Sequence, residues 1–475
     1  MKINTTRISR TFIPAIVALF AAFASGSCIE DGFSSSPSDQ PRFATDTLDL
    51  GLIFTDEASP TSRMVVYNPH PKGLNISRIA ITGPDAGHFR MNVDGLTGES
   101  FSDVEIRAKD SIFVLVEATL PENAGPAPTK VKASLDFTTN GVTRSVVISA
   151  TGQNVKRLRA ITITTDTRFT AEIPYQIFDS LVVAPGAALT LEPGARLYFH
   201  DKASLIVRGS LRSLGTPEAP VNMCGDRTGN VVSDISFDIM SNQWTGAFFT
   251  ATSKDNILSH TDIRNTRQGV TVYEAPLTII NSRLHNSGGC ALEAYHARIR
   301  ALGSEFAEAG DGLVYLQGGE HLFTGCTFAN NYLFSAIANP AISLAHVSAD
   351  PKTGADDGSG FPYMKAEFNN SIIYGLGSDF SHGSLEGTDV RVRRCLIKAE
   401  GVDDNEFVNC IWGEDPLYYT VRADYLFDYR LKPDSPAIDA ADRSLFPADF
   451  PACDFYGVKR RSDLGAYTFT EPADQ

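Results

Sequence analysis

Between Ser259 and Ser335 a short phrase recurs about every 22 residues, and a repeat of that length narrows the available folds sharply. It reads Thr-Asp-Ile263-Arg-Asn265, Ser-Arg-Leu284-His-Asn286, Ser-Glu-Phe306-Ala-Glu308 and Cys-Thr-Phe328-Ala-Asn330, with apolar anchors 21, 22 and 22 residues apart. Ser282, Ser304 and Cys326 put a small residue two places before three of the anchors. Gly269, Cys290, Gly312 and, one place late, Ser335 follow as turn residues. β-prone segments separated by turn residues at this period predict a stacked solenoid, each turn burying its apolar face against the next. The phrase returns at Asn370-Ser371-Ile372-Ile373 and at Arg394-Cys395-Leu396-Ile397.

Upstream, Leu181-Val-Val-Ala-Pro185-Gly186 and Leu189-Thr-Leu-Glu-Pro193-Gly194 each place β-formers before a Pro-Gly turn. Proline presets φ and glycine accepts a positive φ, so the pair suits a tight corner. The pattern, continued by Leu197-Tyr-Phe and Leu205-Ile-Val-Arg-Gly209, looks like the opening of a right-handed parallel β-helix. Between the fourth and fifth copies lies an excursion of roughly Ala345–Tyr363, and a long loop leaving a regular coil is a place to look for function.

A chain of 475 residues exceeds one compact core, so more than one domain is expected. Residues 43–153 carry short alternating strands at intervals of about 8 to 12 residues, such as Met64-Val65-Val66-Tyr67 and Ile112-Phe113-Val114-Leu115-Val116. Turn signals such as Asn140-Gly141 separate them, which predicts a β-sandwich. The Asp-Thr-Leu-Asp-Leu-Gly start, Tyr67-Asn68-Pro69, Asp110-Ser111-Ile112 and the closing Ala150-Thr-Gly152-Gln153 resemble immunoglobulin-like modules at the front of cell-surface lipoproteins. That resemblance implies a spacer or adhesive module without shared active residues.

Residues 1–27 read as a processing segment: Lys2, Arg7 and Arg10 precede the apolar run Phe12–Ala24, too short to span a bilayer. Ser25-Gly26-Ser27-Cys28 resembles a bacterial lipobox with Ser in place of the usual Leu three before the cysteine. The resemblance implies lipidation at Cys28 and membrane anchoring through its acyl chains; the alternative is plain secretion by cleavage near Cys28. Glu30-Asp31 resembles the export signal of lipoproteins that reach the exterior of the outer membrane. Residues 28–42, rich in Ser, Pro and acids, are expected to be a tether. Removing residues 1–27 changes 41 basic against 56 acidic residues to 38 against 56, a charge near −18. Nucleic acid is therefore not an expected partner.

The C-terminal run Asp428-Tyr-Arg-Leu431-Lys-Pro-Asp-Ser435-Pro-Ala-Ile-Asp439, then Asp454-Phe-Tyr-Gly457 and Asp463-Leu-Gly465-Ala466-Tyr467, resembles the end of extracellular β-helix proteins of the choice-of-anchor Q type. That resemblance implies that residues 426–475 close a coil of residues 154–425, with Asp439, Asp454 and Asp463 as turn and cap partners.

Candidate sites are few. Asn265, Asn286, Glu308 and Asn330 form either a sugar-binding strip or a ladder satisfying corner backbone, and the ladder is favoured. Glycan cleavage needs two carboxylates held about 5 to 10 Å apart. Asp356-Asp357 and Asp403-Asp404 are adjacent pairs whose members point apart on a strand. Asp356 and Asp357 with Lys352 on the excursion are the catalytic candidates; His346, and Arg227 beside Asp226, are others. No cofactor is expected, apart from a Ca²⁺ role open to Asp356-Asp357. Trp244, Tyr273, Tyr295, Tyr315, Tyr332 and Tyr374 form either a sugar platform or packed aromatic stacks, and packing is favoured for most. Six cysteines besides Cys28 lack C-x-x-C spacing, so no zinc site is expected. Cys326 and Cys395 fall at the small position, inside the coil, and Cys410 with Cys453 leaves a disulfide open. The expected function is structural or binding, recognising glycans or surface proteins through the coil; the alternative is a polysaccharide lyase or glycoside hydrolase.

Overall fold

A computed structural model describes residues 32–232, 235–345, 364–382, 385 and 388–471. These are almost entirely β and fall into two compact units, one reaching Asn123 and including Pro128–Gln153, the other Ala124–Ala127 with Asn154 onward.

In the first unit two sheets share one apolar core. Ser62–Tyr67, Ser111–Ala118 and Phe89–Val93 pair antiparallel in one sheet. Thr129–Thr139 pairs antiparallel with Val142–Gln153 and with Leu74–Thr82 in the other, while Thr47–Phe54 joins Val142–Gln153 in parallel. Alternation along the strands sends Met64, Val66, Val114, Val116, Leu135 and Phe137 inward. The end of the expected tether is docked on this unit. Asn140 Nδ2 donates to the carbonyls of Ser36 (2.9 Å) and Asp39 (3.1 Å), and Ser34 N donates to Gly73 O (2.8 Å).

The second unit is a parallel β-helix. Its turns deliver one strand to each of three parallel stacks, called A, B and C in chain order. Stack A runs through Val221–Gly225, Thr261–Ile263, Arg283–Leu284, Glu305–Ala307, Thr327–Ala329, Ile372–Ile373 and Leu396–Ile397. Stack B includes Gly246–Phe249, Val270–Tyr273, Leu292–Tyr295, Val314–Gln317 and Ile342–Ala345. Stack C includes Pro276–Ile280, Arg298–Leu302, Gly319–Thr324 and Met364–Asn369. The anchors of the repeat lie directly above one another, Ile263 on Leu284, then Phe306, Phe328, Ile373 and Ile397. Inside, Phe306 stacks on Phe328 (5.2 Å) and Phe323 on Phe368 (5.0 Å). The coil begins at Lys156–Ile163, earlier than the Leu181 pattern indicates. That edge strand is mostly exposed and carries basic residues where later strands carry apolar ones.

The corners explain the phrase. Entering stack A, the residue three before the anchor has a positive φ: His260, Asn281, Gly303, Gly325, Asn370, Arg394 and Asn409 lie between 41° and 59°. The next residue is the small one, and it forms a ladder. Thr261 N donates to Ser282 Oγ (3.1 Å), Ser282 N to Ser304 Oγ (3.1 Å), and Cys326 N to Ser371 Oγ (3.1 Å). Cys326, Cys395 and Cys410 take the same place, their sulfurs accepting from the amides of Ser304, Ser371 and Cys395. Cys410 is thus committed to the column, and neither it nor Cys453 is disulfide-bonded. Pro185-Gly186 and Pro193-Gly194 make the expected turns, with Ala187 N on Ala184 O (3.1 Å) and Ala195 N on Glu192 O (3.0 Å).

The C-terminal segment lies along the flank of stack A, where it buries Tyr429, Leu431, Phe455, Leu464 and Tyr467 against Ala307, Ala329, Ile372 and Leu396. Asp454 accepts from the amides of Tyr456 (2.9 Å), Val458 (3.0 Å) and Thr468 (3.0 Å). Asp463 accepts from those of Asp439 (2.8 Å) and Phe469 (2.9 Å).

The ladder has a measurable consequence. Replacing Ser304 by alanine strands the buried amide of Ser282 and is expected to cost about 1–3 kcal/mol. Ser304→Cys should cost less, because other turns already use sulfur there. Urea unfolding of the two variants, followed by far-UV circular dichroism, checks the order.

Candidate functional site

Stack B presents a partly exposed face of aromatic and polar side chains. Alternation sends Val270, Val272, Leu292, Ala294, Val314 and Leu316 inward, leaving Tyr273, Glu293, Tyr295, Tyr315 and Gln317 at the outer face, with Thr271 on the same side but buried. Parallel register then makes two columns, Thr271–Glu293–Tyr315–Ser343 and Tyr273–Tyr295–Gln317–Ala345. Tyr273 stacks on Tyr295 (4.8 Å, 10°), and Tyr295 meets Tyr315 at 5.6 Å with a 48° tilt. Ring faces largely cover one another, so the strip offers edges and hydroxyls, plus an open face at Tyr273, which is 49% exposed.

Beside the strip lies a cleft of about 230 Å³ lined by Cys290, Glu293, Tyr295, Asp311, Tyr315, Asn339 and Ser343. Burial, reinforced by the nearby charge of Asp311, raises the Glu293 carboxyl above its ordinary range, while the Tyr295 hydroxyl (3.3 Å) works the other way. Burial and the Glu293 charge push the Tyr295 phenol up in turn. Asn339 Nδ2 holds Asp311 Oδ1 at 2.8 Å. The cleft therefore sets the Glu293 carboxyl, raised above its ordinary range by burial, beside the exposed carboxyl group of Asp311.

Of the residues singled out in sequence, Tyr273, Tyr295 and Tyr315 are brought together here. Trp244 is buried, stacked on Phe199 (4.1 Å), and Tyr332 is buried with its hydroxyl on Ser241 (2.5 Å). Asp356, Asp357, Lys352 and His346 lie outside the described residues. The strands flanking them, Ile342–Ala345 and Met364–Asn369, belong to stacks B and C, and Ser343 of the cleft sits on the first. Asp403 accepts from Asn409 N (2.7 Å) and Trp412 Nε1 (3.1 Å), and Asp404 from Phe407 N (2.7 Å), so both serve a turn. Arg227 lies over the Phe237 ring (5.6 Å), and Asp226 binds His200 Nδ1 (2.7 Å). Among the described residues no three His, Cys, Asp or Glu side chains cluster as a metal site. Glu293 and Asp311 went unread in the sequence. The available signal was the 22-residue spacing of Thr271, Glu293 and Tyr315, which puts them in one outward column.

The column Asn265, Asn286, Glu308 and Asn330 is buried at the A-to-B corner rather than lying outside the coil. Asn265 Nδ2 donates to the carbonyls of Asp238 (2.7 Å) and Met240 (2.8 Å), and Asn286 Nδ2 to Asp238 O (3.1 Å), fastening residues 237–240 to the coil. Asn330 binds both backbone groups of Ala309, N at 3.2 Å and O at 2.8 Å. Asn265 Oδ1 also accepts from Gly225 N (3.3 Å), so Asn265 and Asn330 each bond the preceding turn as the ladder expects, whereas Asn265 and Asn286 also hold residues 237–240. Glu308 differs: Oε1 accepts from the Tyr429 hydroxyl and Asn331 N (3.3 Å), while the buried Oε2 has no partner among the described residues.

No known family model matches this sequence, and no curated protein does. Solved structures give partial likenesses. A Porphyromonas gingivalis protein of unknown function is 13% identical (TM-score 0.18) over 26% of this chain, which spans 59% of that protein's length. A family 123 glycoside hydrolase from Clostridium perfringens is 11% identical (TM-score 0.17), covering 26% of this chain and 25% of that one. The catalytic unit of an α-1,3-glucanase from Streptomyces thermodiastaticus is 10% identical (TM-score 0.16), covering 73% and 76%. Scores this low carry no argument about function. No helix among the described residues is long and apolar enough to cross a membrane.

Burial lifts the Glu308 carboxyl from 4.5 to about 8, against the hydrogen bonds from Tyr429 and Asn331. The folded state then holds a proton that the unfolded chain has released. Its stabilising contribution is complete below pH 4.5, shrinks as pH rises, and is gone above about pH 8. Glu308→Gln should flatten the fall in unfolding free energy between pH 5 and 8, removing about 3–4 kcal/mol of it across that range; denaturant titrations at stepped pH read it.

Proposed function

We propose that this chain is a cell-surface lipoprotein, anchored through Cys28 to the outer membrane and facing the exterior, whose β-helix binds glycans along the outer face of stack B. The N-terminal sandwich is read as an immunoglobulin-like spacer between the anchor and the coil. The carrying observation is the register of Tyr273, Tyr295 and Tyr315 with Glu293 and Gln317, which repeats phenol hydroxyls along the coil and sets one carboxyl and one amide among them. Neighbouring strands repeat at about 4.8 Å, so a polymer with its own repeating polar groups finds matching partners turn after turn. The cleft beside the strip is polar, with Glu293, Asp311, Asn339 and Ser343, and this favours a hydroxyl-rich ligand over the apolar anchor of a protein partner. The leader ending at Cys28 and the acidic pair Glu30-Asp31 support the address.

A glycan array probed with the full chain, followed by calorimetry on any hit, tests the reading. Tyr273→Ala and Tyr295→Ala should each weaken binding about tenfold, about 1.4 kcal/mol. Binding that survives both changes, or an array without hits, removes the proposed face.

Glu293 and Asp311 support a second reading, hydrolysis of the bound glycan with Glu293 as acid and Asp311 as base or nucleophile. In that case Glu293→Gln should lower turnover at least a hundredfold while leaving binding within about threefold. A chain that binds a glycan but releases no new reducing ends from it is a binding protein only.

A further inference from the structure

On a different flank, where the C-terminal segment crosses the late turns of the coil, lies a cleft of about 610 Å³. Its charged lining is Lys398, Arg422 and Lys432 against the single acid Asp415. That is a local excess of two positive charges in a chain whose net charge is −15.

The fixed contacts show which charges are spent. Lys398 Nζ donates to the carbonyls of Gly375 (2.9 Å) and Gly377 and lies 3.8 Å from Asp379 Oδ1. Its hydrogens are committed and Asp379 offsets its charge, so the unspent cations are Arg422 and Lys432. Arg422 is held by Nε on Asn331 O (3.2 Å) and Nη2 on Tyr332 O (3.2 Å), both uncharged acceptors. Lys432 Nζ sits 5.7 Å from the Tyr419 ring centre. Among the described residues no carboxylate lies within ion-pair distance of Arg422 or Lys432. Asp415 is already engaged by the Tyr374 hydroxyl and by Leu417 N (2.8 Å), which leaves it little to offer the two cations. The carboxyl whose field Arg422 does meet, Glu308, is buried and favours its neutral form, so it does not cancel that charge.

Tyr374, Tyr418, Leu376 and Leu417 add carbon surface to the walls. The volume is far beyond what one bare anion fills and falls in the range of small-molecule sites. We infer that this cleft binds an acidic saccharide, with Lys432 and Arg422 taking its carboxylate or sulfate group and the tyrosine and leucine side chains lying along its ring. A carboxylate or sulfate matches the fork of a pre-oriented guanidinium, and a lysine beside it adds a mobile point charge. This site is separate from stack B and stands or falls independently of that reading.

The test is calorimetry on the full chain in detergent with three probes: a hexuronate oligosaccharide, a sulfated neutral oligosaccharide, and the carboxyl-reduced form of the first. At least one anionic probe should bind tenfold or more tighter than the reduced one, and its affinity should fall as salt rises from about 50 to 300 mM. Which anionic probe binds decides between carboxylate and sulfate. Lys432→Glu should abolish that preference, Lys432→Arg should keep it, and Tyr295→Ala should leave it unchanged, with thermal melts confirming the fold of each. Equal binding of charged and reduced probes, no binding of either anionic probe, or a preference that survives Lys432→Glu overturns the inference. So does a preference lost in Tyr295→Ala instead.

Discussion

A coil of short strands has to turn at every corner, and each corner takes backbone out of the β region in the middle of a buried wall. There the strand ladder breaks, and an amide left without a partner costs more than most side-chain contacts return. This chain meets the demand with two consecutive residues before the stack A strands from Arg283–Leu284 onward. The first adopts a positive φ; the second, Ser282, Ser304, Cys326, Ser371, Cys395 or Cys410, accepts the amide of the turn before it. With that column in place the anchors fall into register, and the phenylalanine stack of Phe306, Phe323, Phe328 and Phe368 can form.

The same register sorts the outer faces. On stack A, Asp262, Arg283 and Glu305 stand in one column and pair with one another and with His285, Arg264 and Tyr467. Burial works against ionising Asp262, yet His285, Arg264 and Arg283 around it hold its carboxyl well below the usual range. The C-terminal segment covers this face, and its aromatic residues fill the space over Ala307 and Ala329. Stack B keeps an open surface with its tyrosines. The basic cleft arises where the covering segment leaves stack A incompletely filled, so the strap both conceals one surface and creates another.

Much of this was legible. A 22-residue period announces stacking because only stacked turns bring every anchor to one line, and the small residue two places earlier marked the column that became the ladder. The cysteines at that position read correctly as interior. The role of the asparagine column was only partly legible. Asn at a corner was expected, but Asn265 and Asn286 hold the loop at residues 237–240, whose position depends on chain far from either. The docked end of the tether escaped notice for the same reason, since the captured carbonyls carry no side-chain signature. The C-terminal run was expected to close the coil, and its placement along the flank of stack A, over Ala307, Ala329, Ile372 and Leu396, was not legible because it depends on contacts between distant turns.

By itself, then, the sequence determined the coil, its period and its interior, because these follow from local spacing and from the polarity of single residues. The tertiary structure alone decided which side chains of different turns share a column. It set Glu293 beside Asp311 and Tyr295, left one Glu308 oxygen without a partner among the described residues, and gathered Lys398, Arg422 and Lys432 around one cleft. The physical reason is that charge and hydrogen bonding act through space over a few ångströms. The chain distance between such groups is set by whole turns of coil and by the path of the segment laid across them.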